Sequence, residues 1–519
     1  MGISNGAVEH AQRHSRLMSL PDELLLCVVE QIDDTPSLRS FILTCQKAQS
    51  LAEPCLWRSI VIRNGEQARM LFGMFLKRRE RRAFVQHVDV KHKLDSQGEI
   101  GIFDGQIGLF SNLRTCKIES PCPNDNIVYS STGEFSDGEG QLRYWNDLPK
   151  LNNVQSLHLH THIRGTTYFD LCNGKGSIIF QSPTLRHIHL ACTDITTEIV
   201  ESLRGCDIKT PLETLVFEEC NIDSDALAVI LSLPKALKRL TLGERLYHFH
   251  DPPSECLSLS GPGLATALKH QAHSLEYLKQ TQVYKPIQNH WFNLSESERQ
   301  RRFCSSDALP FFPSLKEIDL PYGSPLYAIV KKAPPQLERI RVHHFHGSLL
   351  GQQDVLLKTL PRELNIMNQR RLSHLELIFP ETRTNRQDTQ EQWLETLMDK
   401  LIKHGPFRHE SMRTNIWEFA RRLRTRDIRL TIDWIRSAGY IPPFMDGEIL
   451  PTQFNIYDSD RIDVFGHYES GRVFRDKECE RRARQEGIYQ GPEPQFSEHD
   501  LEEGGTEEEE EEEEELVIL

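Results

Sequence analysis

One short pattern recurs through the middle of this 519-residue chain and limits its fold more than any other feature. An apolar residue is followed by two others, a second apolar residue, one other, and a third apolar residue. Clear copies are Leu185-Ile188-Leu190, Leu212-Leu215-Phe217, Leu237-Leu240-Leu242, Leu315-Ile318-Leu320, Leu337-Ile340-Val342 and Leu372-Leu375-Leu377. Weaker copies begin at Val85, Leu113, Val154 and Leu275, the last with Gln280 in the third apolar place. The last two apolar positions alternate as on a strand, so each copy has one apolar side. A single short strand cannot cover that side, whereas stacked units cover one another. The copies start 22 to 41 residues apart, long enough for crossovers between parallel strands. Apolar spacing predicts helices at Asp223–Leu233 and Leu264–Ala272 in two of those crossovers. The expected fold class is α/β: a curved parallel sheet with helices outside.

Residues 20–62 are of another kind. Pro21 suits the first turn of a helix, and Asp22 and Glu23 favour its positive end. Leu24, Leu25, Val28, Val29 and Ile32 recur at helical spacing. Asp33 to Pro36 break that helix. A second stripe follows in Leu38, Phe41, Ile42, Cys45, Ala48, Leu51 and Ala52, before Leu56, Trp57 and a β-like run at Ser59–Ile62. About forty residues seldom bury so much apolar surface on themselves, so the expected helical hairpin needs a partner.

In order and spacing this segment resembles the F-box: Leu20-Pro21-x-Glu23-Leu24, the amphipathic helix, Cys45, then Leu56-Trp57-Arg58. It departs at Ala48, where many F-boxes carry an aromatic residue. The resemblance implies docking onto the Skp-type adaptor of a cullin–RING ubiquitin ligase. The adaptor-binding residues would be Leu20, Pro21, Leu24, Leu25, Val28, Ile32, Cys45, Leu56 and Trp57. The repeats resemble leucine-rich repeats, and LRHIHLACTDI and LETLVFEECNI carry the longer pattern through Thr193 and Ile195, and Cys220 and Ile222. Several intervals exceed the roughly 20–29 residues usual for such repeats. Together, residues 20–380 resemble F-box proteins with irregular leucine-rich repeats, divergent fungal ones included.

Enzyme chemistry finds little support. There is no GxGxxG, P-loop, HExxH or GxSxG motif, and twelve scattered cysteines include no CxxC pair. No cofactor is expected, and the cysteines read as reduced thiols in a cytoplasmic or nuclear protein. Alternating histidines, His158-x-His160-x-His162, His187-x-His189 and His343-His344-x-His346, raise metal coordination as an alternative. No Cys or carboxylate completes a ligand motif, and solvent-facing strand positions are the better reading. No apolar run of about 18 residues suggests a membrane span, and the N-terminus lacks the apolar core of a signal peptide. The net charge of −14 comes wholly from 491–519, where fourteen acidic side chains, nine of them Glu507 to Glu515, meet no Lys or Arg. The remainder is formally neutral and carries no global bias toward nucleic acid. The basic run Lys77–Arg82 reads equally as a localisation signal or as a solvated helix face.

The expected map is a disordered N-terminus at 1–17, an F-box at 18–64, a leucine-rich-repeat-like solenoid at 65–380, a cap at 381–450 with an amphipathic helix at 390–404, a mixed charged extension at 451–490 and a disordered acidic tail at 491–519. The function expected is substrate recognition: the helical segment holds the adaptor, and through it cullin and RING subunits, while the repeat arc holds a protein marked for degradation. An adaptor-bound scaffold without a degradation role is the alternative; a metal-dependent enzyme is a remoter one. Residues between and beside the last two apolar positions face away from the core. The candidate target surface is therefore His158, His160, His187, His189, Arg239, Tyr277, Lys279, Arg339, Arg341 and His374, with its histidines titrating between about pH 6 and 7.

Overall fold

The computed structural model describes residues 17–91, 106–119, 151–160, 169–171, 176–195, 198–203, 205–206, 208–244, 262–281, 309–320, 333–343, 371–380, 419–436 and 452–460. The protein is α/β, with a large, mostly parallel sheet. One strand path runs β1 (Ser59–Ile62), β2 (His87–Lys91), β3 (Thr115–Glu119), β4 (Ser156–His160), β6 (His187–Ala191), β8 (Thr214–Ile222) and β9 (Arg239–Glu244). It continues through β10 (Tyr277–Thr281), β11 (Glu317–Leu320), β12 (Arg339–Val342), β13 (His374–Pro380), β14 (Arg429–Arg436) and β15 (Thr452–Asp458). Strands sit in chain order, each parallel to the one before, except that β15 runs antiparallel to β14. Two short strands, β5 (Phe169–Asp170) and β7 (Thr193–Ile195), make a side ladder that joins the path through β8.

The apolar triplets explain this order. All three members of every clear copy are buried in one continuous core. Burying each leucine stabilises by about 1.5–3 kcal/mol before chain entropy is counted. Gln280, in an apolar place, is buried as well. One residue before each strand, a backbone ladder runs across the sheet, with Arg186 N–H donating to Gln155 O at 2.8 Å, Glu213 to Arg186 at 2.8 Å and Lys238 to Glu213 at 2.9 Å. The two extended copies turn into the side ladder. Buried Cys192, between β6 and β7, takes φ +56°, and its N–H reaches Glu218 O at 3.0 Å.

Both crossover helices predicted from spacing are present, as α6 (Ser224–Ser232) and α7 (Pro262–Lys269), after the shorter α5 (Glu198–Leu203). Asp223 starts α6 by accepting from Asp225 N–H at 2.8 Å, so its capping role follows from residue type. Strands β14 and β15 carry the sheet beyond residue 380, β15 within the segment expected as a charged extension. The helix expected at 390–404 and the acidic tail lie outside the described residues.

The N-terminal segment is three short helices, not a hairpin: α1 (Asp22–Val29), α2 (Thr35–Ile42) and α3 (Gln46–Leu56). The second apolar stripe is split because Cys45 starts a new helix, its Sγ accepting from Ala48 N–H at 3.4 Å. Asp34 caps α2 through Ser37 N–H at 2.7 Å. Val29, Leu38 and Ala52 form a small core of their own, separate from that of the sheet. Helix α4 (Gly65–Lys77) follows β1, started by Asn64, which accepts from Gln67 N–H at 2.9 Å.

Candidate functional site: an apolar helical face and a polar sheet face

The helical module leaves several large apolar side chains in solvent. Leu24 is 51% exposed and Leu43 75%, with Leu17, Leu26 and Val28 also open. Leu24 and Val28, four residues apart, share one side of α1, while Leu25 and Val29 face inward. Lys47 holds the start of this face: its Nζ reaches Met18 O and Leu20 O, each at 3.3 Å, and Asp22 at 3.0 Å. Pro21 and Cys45 are exposed, whereas Leu20, Ile32 and Leu56 are partly buried.

Two residues expected on this face are elsewhere. Leu25 is fully buried in the module. Trp57 belongs to the sheet's core, its ring 5.4 Å from Phe75, which in turn lies 5.4 Å from Phe110. The Arg81 guanidinium sits 4.8 Å over the Trp57 ring and pairs with Glu53 of α3 at 2.6 Å; Arg78 reaches Glu53 at 3.2 Å. Part of the basic run Lys77–Arg82 is thus a clasp between helices and sheet. Ala48 is completely buried, so the aromatic residue absent there would not fit this packing.

Across the sheet, register places one residue per strand in line: Asp89, Lys117, His158, His189, Val216, Thr241, Lys279, Asp319, Arg341, Glu376, Thr431 and Asp458. A parallel line runs His87, Thr115, Ser156, His187, Thr214, Arg239, Tyr277, Glu317, Arg339, His374 and Arg429. Both lie on the side away from the buried triplets, as the alternation predicts.

The N-terminal part of this face gathers histidines. His158 and His189 stack at 4.0 Å, and His189 meets Glu218 at 2.9 Å. Burial, the largest single influence, resists charging Glu218, but the His189 hydrogen bond and the nearby charges of His189 and Lys279 together hold its carboxyl below the usual range. Burial, helped by His189 alongside, pushes His158 down to about 2. The expectation that His158 titrates between pH 6 and 7 is therefore corrected: desolvation keeps it neutral. His160, expected on the target-facing surface, is instead buried, with Nε2 3.6 Å from Cys192 Sγ. His187 is exposed.

The C-terminal part is an ion-pair network. Arg341 joins Asp319 at 3.1 Å and Glu376 at 2.9 Å; Arg339 joins Glu376 at 2.9 Å. Tyr277 donates its hydroxyl to Asp319 at 2.8 Å, and His343 approaches Asp319 at 3.5 Å. Gln453 donates to Asp433 at 2.8 Å and Glu376 at 3.3 Å, linking β15 to the network. Asp319 loses hydration, yet its hydrogen bond with His343 and the charge of Arg341 hold its carboxyl low. Tyr277 is buried, and His374 is turned to Thr431 at 2.8 Å. Arg339 and Arg341, expected to meet a target, are thus occupied by Glu376 and Asp319. Residue types alone hid this, because which strands neighbour one another was needed to see the pairs.

Among the described residues, no group of three or more His, Cys, Asp or Glu is placed to hold a metal ion, and no helix is long and apolar enough to cross a membrane. No protein-family model matches the chain, and no curated protein matches it in sequence.

Proposed function

We propose that this protein is a non-catalytic substrate-recognition subunit of an SCF-type cullin–RING ubiquitin ligase. Its F-box-like helices take the Skp-type adaptor, and a leucine-rich-repeat solenoid holds a target protein for ubiquitination and proteasomal degradation. The observation that carries this reading is the exposure of Leu24, Val28 and Leu43 on a module whose own core cluster is only Val29, Leu38 and Ala52. Solvent-exposed leucines on a helix just outside a small core suit a protein partner. The Glu53–Arg81–Trp57 clasp supports it further, because it holds that face at a set angle to the sheet. Catalysis in such a complex comes from proximity: a target lysine held near a thioester gains effective concentration. The chain supplies geometry rather than a reactive group.

Affinity capture of the full chain from cells with the proteasome blocked tests this. Skp-type adaptor and cullin should co-purify with it, and both should be lost together in a Leu20→Ala/Pro21→Ala chain. Adaptor without cullin would leave a scaffold; capture of neither by the intact chain would contradict the proposal.

A further inference from the structure

The cations of the polar sheet face fall into two groups. On β12 and β14, Arg339, Arg341 and Arg429 are each paired with a carboxylate of a neighbouring strand. On β3, Lys117 is paired with Glu119. Arg239 of β9 and Lys279 of β10 differ: among the described residues neither has a carboxylate within ion-pair distance. Arg239 is exposed and Lys279 partly so.

Arg239 is also held in place. Its guanidinium carbon lies over the Tyr277 ring, 4.0 Å from the centroid, and Tyr277 is fixed by its hydroxyl bond to Asp319 at 2.8 Å. A guanidinium over an aromatic ring keeps N–H donors with which to bind a planar carboxylate. Lys279 follows Tyr277 by two residues on the same side of β10, level with Thr241. Nearby acids are engaged elsewhere: Asp319 by Tyr277, Arg341 and His343, and Glu218 by His189. Glu317 lies beyond Tyr277 on β11.

Between Lys279 and the histidines of β6 the side chains level with them are small, and Glu218 of β8 is held by His189. Thr214, Val216 and Thr241 occupy β8 and β9, with His187 and His189 on the far side. From β6 to β10 is three strand spacings, about 14 Å. The result is a shallow trough floored by β-branched side chains, with a fixed arginine and a lysine along one wall.

We propose that this trough binds an extended acidic peptide, and that Arg239 and Lys279 take its carboxylates. The proposal deepens the target-recognition reading by naming the target's chemistry and moving the contact from Arg339 and Arg341 to the middle strands. Charge-assisted hydrogen bonds from a pre-positioned guanidinium are the strong kind; among the described residues Arg239 has no ion pair to break, and Lys279 acts on Glu218 only through its charge. Because the contacts are exposed ion pairs, affinity should fall as salt rises.

The test is fluorescence anisotropy of a labelled octaglutamate peptide with the full-length protein at low and high salt. An Arg239→Gln/Lys279→Gln chain should bind at least tenfold more weakly at low salt with an unchanged Tm. A Lys238→Gln/Lys316→Gln chain, altered at exposed edge cations already paired with Glu213 and Glu276, should bind as the unaltered protein does. Equal binding by the first variant, or equal loss in the second, would overturn the proposal. Tighter binding by a chain with Glu507 to Glu515 changed to Gln would assign the trough to the protein's own tail and overturn the partner reading. Adaptor capture on the same preparations reports separately on the ubiquitin-ligase reading, so failure of one is not failure of the other.

Discussion

The helical module and the parallel sheet treat leucine in opposite ways. Every leucine, isoleucine and valine of the clear repeat triplets is buried, and the core they form is continuous from Trp57 to Tyr457. The module buries Val29, Leu38 and Ala52 but leaves Leu24, Val28 and Leu43 outside. Composition does not cause this difference, since both regions are apolar. Topology does. A stacked strand has a neighbour on each side to cover it, whereas three helices of 8, 8 and 11 residues have little to cover them.

The largest expected contrast is in stability. Phe217, fully buried beside Phe180, should cost about 3–5 kcal/mol when cut to Ala, because a cavity is added to lost transfer energy. Leu24→Ala should cost no more than about 0.5 kcal/mol, as surface changes usually do. Chemical denaturation of both variants checks this, and similar losses would erase the contrast. The seam between the regions comes next. Glu53→Ala would leave Arg78 and Arg81 without their carboxylate, at about 1–3 kcal/mol. Paired spin labels on α1 and α4 should then report a broader distance distribution; an unchanged one would mean that apolar packing alone sets the angle.

A smaller effect separates the sheet by pH. His158 is kept neutral in the folded protein but takes a proton when unfolded, so its contribution is present above about 6.5 and lost as pH falls. As pH falls from 6.5 to 5 it should remove up to about 1.4 kcal/mol of stability per pH unit, one proton's worth. Denaturation of the His158→Asn chain over this window should show a slope shallower by up to that amount; an equal slope would mean that water reaches the ring. The smallest effect returns to the helices. Asp34→Ala removes the cap of α2 and should lower stability slightly. Because the Ser37 backbone hydrogen bond lowers the Asp34 carboxyl, this stabilisation is present above about pH 4 and fades as pH falls below it. A thermal melt should show a larger difference between the two chains at pH 7 than at pH 3; an equal difference at both would contradict this.

Much of this was legible in residue order. The triplets gave the strands, their spacing gave parallel pairing, and Asp223 and the stripe after it gave α6. Alternation also told which side of each strand is polar. What it could not tell was who stands beside whom: Asp319 and Glu376 read as surface charges until register set Arg341 between them. His160 read like His158, yet its position at the end of β4 puts it against Cys192. Trp57 closed a motif in sequence but faces the sheet, because β1 begins two residues later and draws it into that core. In the module, periodicity found the stripes but not the break at Cys45, where a thiol does the capping usually done by a hydroxyl or carboxylate.

The central claim is that the exposed side of α1 is a docking face rather than an ordinary surface. Titration calorimetry of the full-length protein with a purified Skp-type adaptor, against a Leu24→Ala/Val28→Ala chain, tests it most directly. If these side chains are interface anchors worth at least about 2 kcal/mol together, the variant should bind at least about thirtyfold more weakly while melting at the same temperature. Equal affinity for both chains, or no heat of binding from either, would contradict it.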